Sequence, residues 1–135
     1  MRRMNIYNPE IDLIDSIWIE GGFVNAHSHL DRAFTVTKEN MQSVVYNHLH
    51  QKWKYIDEYK SNATEEDFYN NITTAIRSQK NLLSSHIVSF IDIDPVVGTK
   101  AIDAAVRAKN FAAMMGIGFK VACQTLKGTM TPETQ

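Results

Sequence analysis

The sequence predicts an α/β fold built on parallel strands. Three observations carry this. Short runs rich in strand formers sit at 23–27, 87–93 and 119–123. Longer segments with apolar residues at steps of three or four separate them. Glycine, proline or a capping residue marks the joints. Strands that alternate with helical segments of this length imply right-handed parallel crossovers.

Taken in order, residues 1–14 are polar and punctuated by Asn5, Asn8, Pro9 and Asp12, and read as a loose arm or short edge element. Ile17, Trp18 and Ile19 predict a short strand, which Gly21 and Gly22 break. Residues 23–27 predict a second strand. Residues 38–60 predict a long helix, because Met41, Val45, Leu49, Trp53, Ile56 and Tyr59 line one face. Thr64 reads as the N-cap of the next helix, with Glu65, Glu66 and Asp67 in its first turn, where the helix dipole favours acids. Phe68, Ile72, Ile76 and Leu83 supply its apolar stripe.

The run 87–93 reads as a buried strand that Pro95 stops. A helix from about Val97 to Met115 follows. Its small face of Ala101, Ala105, Ala108, Ala112 and Met115 suits close packing on a sheet, and Gly116 and Gly118 end it. Residues 119–123 form the next strand. Thr131-Pro132-Glu133 has the form of a helix start, or of a frayed polar tail. The resulting division is an N-terminal arm over 1–20 and a β/α region over 21–135.

Composition narrows the function. The chain has 135 residues, 44% of them hydrophobic, with 14 Lys plus Arg against 15 Asp plus Glu and a net charge of −1. One core of ordinary globular character fits this. The near-neutral balance supplies no basic stripe, so neither nucleic acid nor a membrane surface is an expected partner. A spanning helix needs about 18 consecutive apolar residues, and the longest such run, 111–119, is short and holds two glycines. The lone Cys123 rules out an intrachain disulfide, and with no secretion signal the expected location is the cytoplasm.

The chemistry-bearing residues begin with His27-Ser28-His29 at a strand exit. Residues i and i+2 of a strand share a face, so two imidazoles project together, a natural grip on zinc or iron. Two polar histidines leaving a strand are the alternative. His48-Leu49-His50 has the same spacing in a predicted helix, where the pair diverges, and reads as solvated surface. His86 lies at the N-terminal end of its strand and reads as structural.

The stretch Gly21-Gly22-Phe23-Val24-Asn25-Ala26-His27-Ser28-His29-Leu30-Asp31-Arg32-Ala33-Phe34 resembles the first-strand motif of the amidohydrolase superfamily, and its continuation resembles the cytosine deaminase-like branch. Ser89-Phe90-Ile91-Asp92-Ile93-Asp94-Pro95 resembles that branch's T-H-V-D-V-D-P segment, and Val121-Ala122-Cys123-Gln124 the strand whose glutamine faces substrate. The resemblance implies a fold class of parallel β/α units from an incomplete TIM-type (β/α)8 barrel, 21–135 holding the first three strands. It also implies a divalent metal, zinc or iron, on His27 and His29, although the isolated piece need not hold one. Gln124 becomes a substrate contact, with an ordinary polar strand end as its alternative. Asp31 becomes a carboxylate orienting a ligand histidine, or else a salt-bridge partner of Arg32. Asp92 and Asp94 share one face and can tether a loop. Lys127 reads as solvated surface.

Gly21 stands where the family has proline, and Phe90 where the deaminase branch has histidine. Strands supplying two further histidines and an aspartate have no counterpart, and a full barrel takes about 250 residues. The expected function is the N-terminal part of a metal-dependent amidohydrolase or deaminase. The parent enzyme would hydrolyse C–N bonds in a small cyclic amide or amidine. The chain by itself is expected to be inactive for want of the later ligands and a general acid/base. The alternative is a non-catalytic remnant that binds a partner or pairs with itself, as a homo-oligomer, through its exposed sheet.

Overall fold

A computed structural model of the chain describes residues 8–42 and 48–125. The expectations for Val45, Lys127 and the helix start at 131–133 lie outside these residues. The elements run α1 (Pro9–Ile19), β1 (Phe23–Ser28), a single 3-10 turn (Leu30–Arg32), α2 (Leu49–Asn62), α3 (Glu65–Asn81), β2 (Ser84–Asp92), α4 (Lys100–Met114) and β3 (Gly118–Gln124). The strands form one sheet in the order β1-β2-β3, and both pairs are parallel. The described residues thus build an α/β unit of a three-stranded parallel sheet and four helices.

Three expectations need correction. Residues 9–14, read as part of a loose arm or short edge element, are the first turns of α1. The strand predicted at Ile17, Trp18 and Ile19 is the last turn of α1. Asn8 caps that helix through its side chain, which accepts from the Glu10 amide, and Pro9 occupies the first helical position. That start signal outweighs the strand propensity of three residues at the far end. The helix predicted over 38–60 does not begin at 38. Residues 38–40 form a turn fixed by Asn40, whose side chain accepts from the Thr37 amide and donates to the Tyr55 hydroxyl. Met41 and Gln42 are helical, and α2 itself begins at Leu49, after His48, whose amide donates to the Gln51 side chain.

The rest follows from patterning. Thr64 caps α3 by accepting from the Asp67 amide, while Asp67 accepts from the Thr64 amide in return. Phe68, Ile72 and Ile76 of α3 pack with Ala101, Ala105, Ala108 and Ala112 of α4 against Ile87 and Ile91 of β2. Leu83 lies past the helix and is only half-buried, with φ at +64°. Gly22, at φ +74°, comes so close to the Leu83 carbonyl that a Cβ would sit 2.9 Å from it, so α1 can hand over to β1 beside the start of β2. A Cβ on Gly118 would run into the His86 ring, which explains glycine at the start of β3. No helix among the described residues is long and apolar enough to cross a membrane.

Candidate functional site

β1 and β2 pair with an irregularity. Asn25 lies opposite Ile87 and Ser28 opposite Ser89, so β1 spends one residue more than β2. Asn25 sits below the bulge and faces the helices, where its side chain donates to Gln79 of α3. The extra residue reverses the alternation, a common use of bulges beside functional sites. His27 and His29 therefore turn to the face opposite the helices, where their rings meet Phe90, with centroids 4.8 Å and 5.9 Å away. The His27 amide lies 3.3 Å from the Asn25 side-chain oxygen, which closes the bulge locally.

The two histidines converge. Their Nε2 atoms are 3.3 Å apart. Two zinc–nitrogen bonds of about 2.0–2.1 Å at a tetrahedral angle span about 3.3–3.4 Å. The pair thus has the bite of a metal chelate without any movement. Among the described residues no third histidine, cysteine or carboxylate joins them to make a group of three.

Behind the histidines lies a buried ion cluster. Asp92, the last residue of β2, has no solvent exposure. Its carboxylate accepts from Arg32 Nε at 3.1 Å and Nη2 at 2.6 Å, from Lys60 Nζ at 2.8 Å and from Gln124 Nε2 at 2.7 Å. Burial pushes the Asp92 carboxyl up, but the bonds from Arg32, Lys60 and Gln124 outweigh it and hold the group below the usual carboxylate range. Lys60 comes from α2, is 1% exposed, and bridges Asp92 to Asp94 at 2.8 Å. Burial pulls its ammonium down, and the two carboxylates more than restore it. Asp94 also accepts from the Val96 and Val97 amides, so it ties the loop after β2.

Gln124 sits directly opposite Asp92 in the β2–β3 register. Its Nε2 lies 3.2 Å from His29 Nδ1. His29, Gln124, Asp92, Arg32 and Lys60 therefore form one connected set drawn from four separate stretches of chain. Burial and the nearby Arg32 lower the His29 pKa below its ordinary value. Asp31 takes neither expected role. One of its carboxylate oxygens accepts from the Asp92 amide at 2.9 Å, and the other is buried without a hydrogen-bond partner. Burial raises its pKa to about 6. Arg32 is committed to Asp92 instead.

His48 and His50 are exposed, and His86 packs at the opposite end of β2 with Nδ1 3.0 Å from the Ser85 hydroxyl. A cavity of about 540 Å³ opens between α2 and α3, lined by Phe34, Tyr55, Tyr59 and polar side chains, and none of the histidines borders it. Sequence reasoning missed Lys60 and Arg32. For Lys60 a signal existed, since it falls four residues after Ile56 on the apolar stripe of α2, where a charge demands a buried partner.

Comparison with known proteins adds one functional word. No family model matches the chain. It is 38% identical over 118 residues to an uncharacterized protein of Haemophilus influenzae, covering 87% of this chain and 42% of that protein. It is 29% identical over 104 residues to the N-isopropylammelide isopropyl amidohydrolase of a Pseudomonas species, covering 75% of this chain and 25% of that enzyme. One partial relative is thus named as an amidohydrolase. The chain spans less than half the length of either relative.

Proposed function

We propose that the chain contributes the first strands of a metal-dependent amidohydrolase, a (β/α)8-type enzyme that hydrolyses C–N bonds in small cyclic amides or amidines. The observation that carries this is the 3.3 Å approach of the His27 and His29 Nε2 atoms at the C-terminal end of a parallel sheet. Ligands of such sheets gather at that end. The partial relative named as an amidohydrolase points the same way. His27 and His29 would hold zinc or iron, which supplies activation of water for attack on a carbon bonded to nitrogen. Phe90 packs against both rings, while His27 stays exposed to solvent. In the metal-free chain Gln124 spends its Nε2 on Asp92 and His29, and it is the side chain proposed to contact substrate.

Zinc titration by calorimetry tests this. The expected result is binding by the wild-type chain that His27→Ala removes. Indistinguishable titrations would refute the site. Ammonia release from cytosine-like substrates is expected to stay at background, because two histidines fall short of the three protein ligands of catalytic zinc. Turnover that disappears in His27→Ala would show that the chain is catalytically complete.

A second reading is favoured by β1, an edge strand whose Phe23 and Val24 are 54% and 63% exposed. Such a surface suits pairing with a second copy. Sedimentation at micromolar concentration tests it, and a monodisperse monomer would count against it.

A further inference from the structure

We propose that Gln124 is a positioning residue: Asp92 locks its amide, and the locked amide decides which nitrogen of His29 carries the proton. The consequence for metal entry rests on reading His27 and His29 as a metal-holding pair; the geometry does not.

An ionised carboxylate accepts hydrogen bonds and cannot donate them. Asp92 is ionised, since it is fully buried against the Arg32 guanidinium and the Lys60 ammonium. Gln124 must therefore turn its NH2 group, not its oxygen, toward Asp92 Oδ1 at 2.7 Å. The same nitrogen lies 3.2 Å from His29 Nδ1. An NH2 group has two hydrogens, one for each neighbour, so His29 Nδ1 is the acceptor. A neutral imidazole that accepts at Nδ1 carries its hydrogen on Nε2.

That hydrogen points toward the neighbouring Nε2 of His27, 3.3 Å away. A metal needs the lone pair of both Nε2 atoms. Loading it requires the His29 proton to leave Nε2 for Nδ1, where it would meet the N–H of Gln124. The amide must then turn or withdraw. Gln124 thus orders the ring while opposing the tautomer that a metal requires. The Phe90 backbone carbonyl also lies near the His29 ring as a hydrogen-bond acceptor.

The test is a two-bond proton–nitrogen NMR spectrum of the metal-free full chain with nitrogen-15 histidine, at about pH 7.5, where histidine is largely neutral. The expected wild-type signature for His29 is hydrogen on Nε2. In Gln124→Leu the donor is gone, and the Nδ1–H form should appear. In Asp92→Asn the new amide can donate, Gln124 can reverse, and His29 should read as Nδ1–H. Zinc should bind Gln124→Leu about 10-fold more tightly, at the low end of effects seen for groups behind metal ligands. A wild-type His29 with hydrogen on Nδ1 would overturn the proposal and assign the ring to the Phe90 carbonyl; this spectrum decides without any variant having to fold. A tautomer unchanged in Gln124→Leu would overturn it as well. Tautomers that shift as expected while no chain binds zinc would uphold the positioning role and remove the metal reading.

Discussion

On one face of β2, Ile87, Ser89 and Ile91 lie wholly buried under α3 and α4. On the other, His86 is exposed, Val88 and Phe90 are half-buried, and Asp92 disappears beneath charged partners. The same strand therefore has a mainly aliphatic side, in which the Ser89 hydroxyl accepts from the Leu30 amide, and a polar side, whose contacts demand particular atoms. Aliphatic burial sets where the helices sit. The ion cluster sets which way side chains point, and Gln124 passes that orientation on to His29. The site lies on the face with the fewer apolar contacts and the more specific ones.

The largest effect should come from Lys60. It is the one basic group of α2 drawn into the cluster, and its removal leaves Asp92 and Asp94 facing each other without their shared ammonium. Lys60→Met keeps the volume and removes the charge. Breaking a buried ion pair by deleting one partner costs about 3–5 kcal/mol. Urea denaturation should show a loss in that range. A loss below about 1 kcal/mol would mean that Arg32 alone satisfies Asp92, and that the polar face is less demanding than the contacts suggest.

The second test sets the two faces side by side. Ile91→Ala empties a fully buried position and should cost about 2–5 kcal/mol. Phe90→Ala, one residue along on the other face, removes a larger side chain that is half-buried, and should cost on the order of 1 kcal/mol. The order of the two losses is the readout. If Phe90→Ala were the costlier, the histidine-bearing face would be a packed core in its own right.

Much of this was legible in the sequence, for physical reasons. The cap at Thr64, the alanine face of α4 and the three strands each rest on local patterns that tertiary contacts reinforce. The convergence of His27 and His29 was legible from their spacing. The bulge was not, because Val24-Asn25-Ala26-His27 reads the same with or without an extra residue in the pairing, and only β2 decides. The cluster was invisible because its members come from segments distant in sequence. Lys60 is buried only because Asp92 and Asp94 meet it from β2 and the loop beyond. At α1 the error was local: Ile17 and Ile19 favour strands, but Asn8 and Pro9 had already begun a helix.

The sharpest separation of the two faces concerns pH. Asp31 has its carboxyl raised to about 6 in the folded chain, from an ordinary value of 3.8, chiefly by burial. Between those values the folded state binds a proton that the unfolded state releases. Stability from this group is therefore complete below about pH 4 and is lost as pH rises through 6, by on the order of 2–3 kcal/mol. Asp92 and Asp94 have the opposite sign, because their partners hold them below the ordinary value. Their contribution is present above that value and is lost only on further acidification, so the two windows do not overlap. Denaturation midpoints taken every half unit from about pH 4 to pH 6.5 should lose ground with rising pH in the wild type relative to Asp31→Asn, in which the lowered pKa of His29 acts with the opposite sign. The slope carries the test, so the absolute stability of the variant does not enter. Ile91→Ala should lower the whole curve and leave its slope intact, since nothing on the aliphatic face titrates. An Asp31→Asn curve parallel to that of the wild type would place the pH response elsewhere and would break the assignment of charge regulation to the polar face.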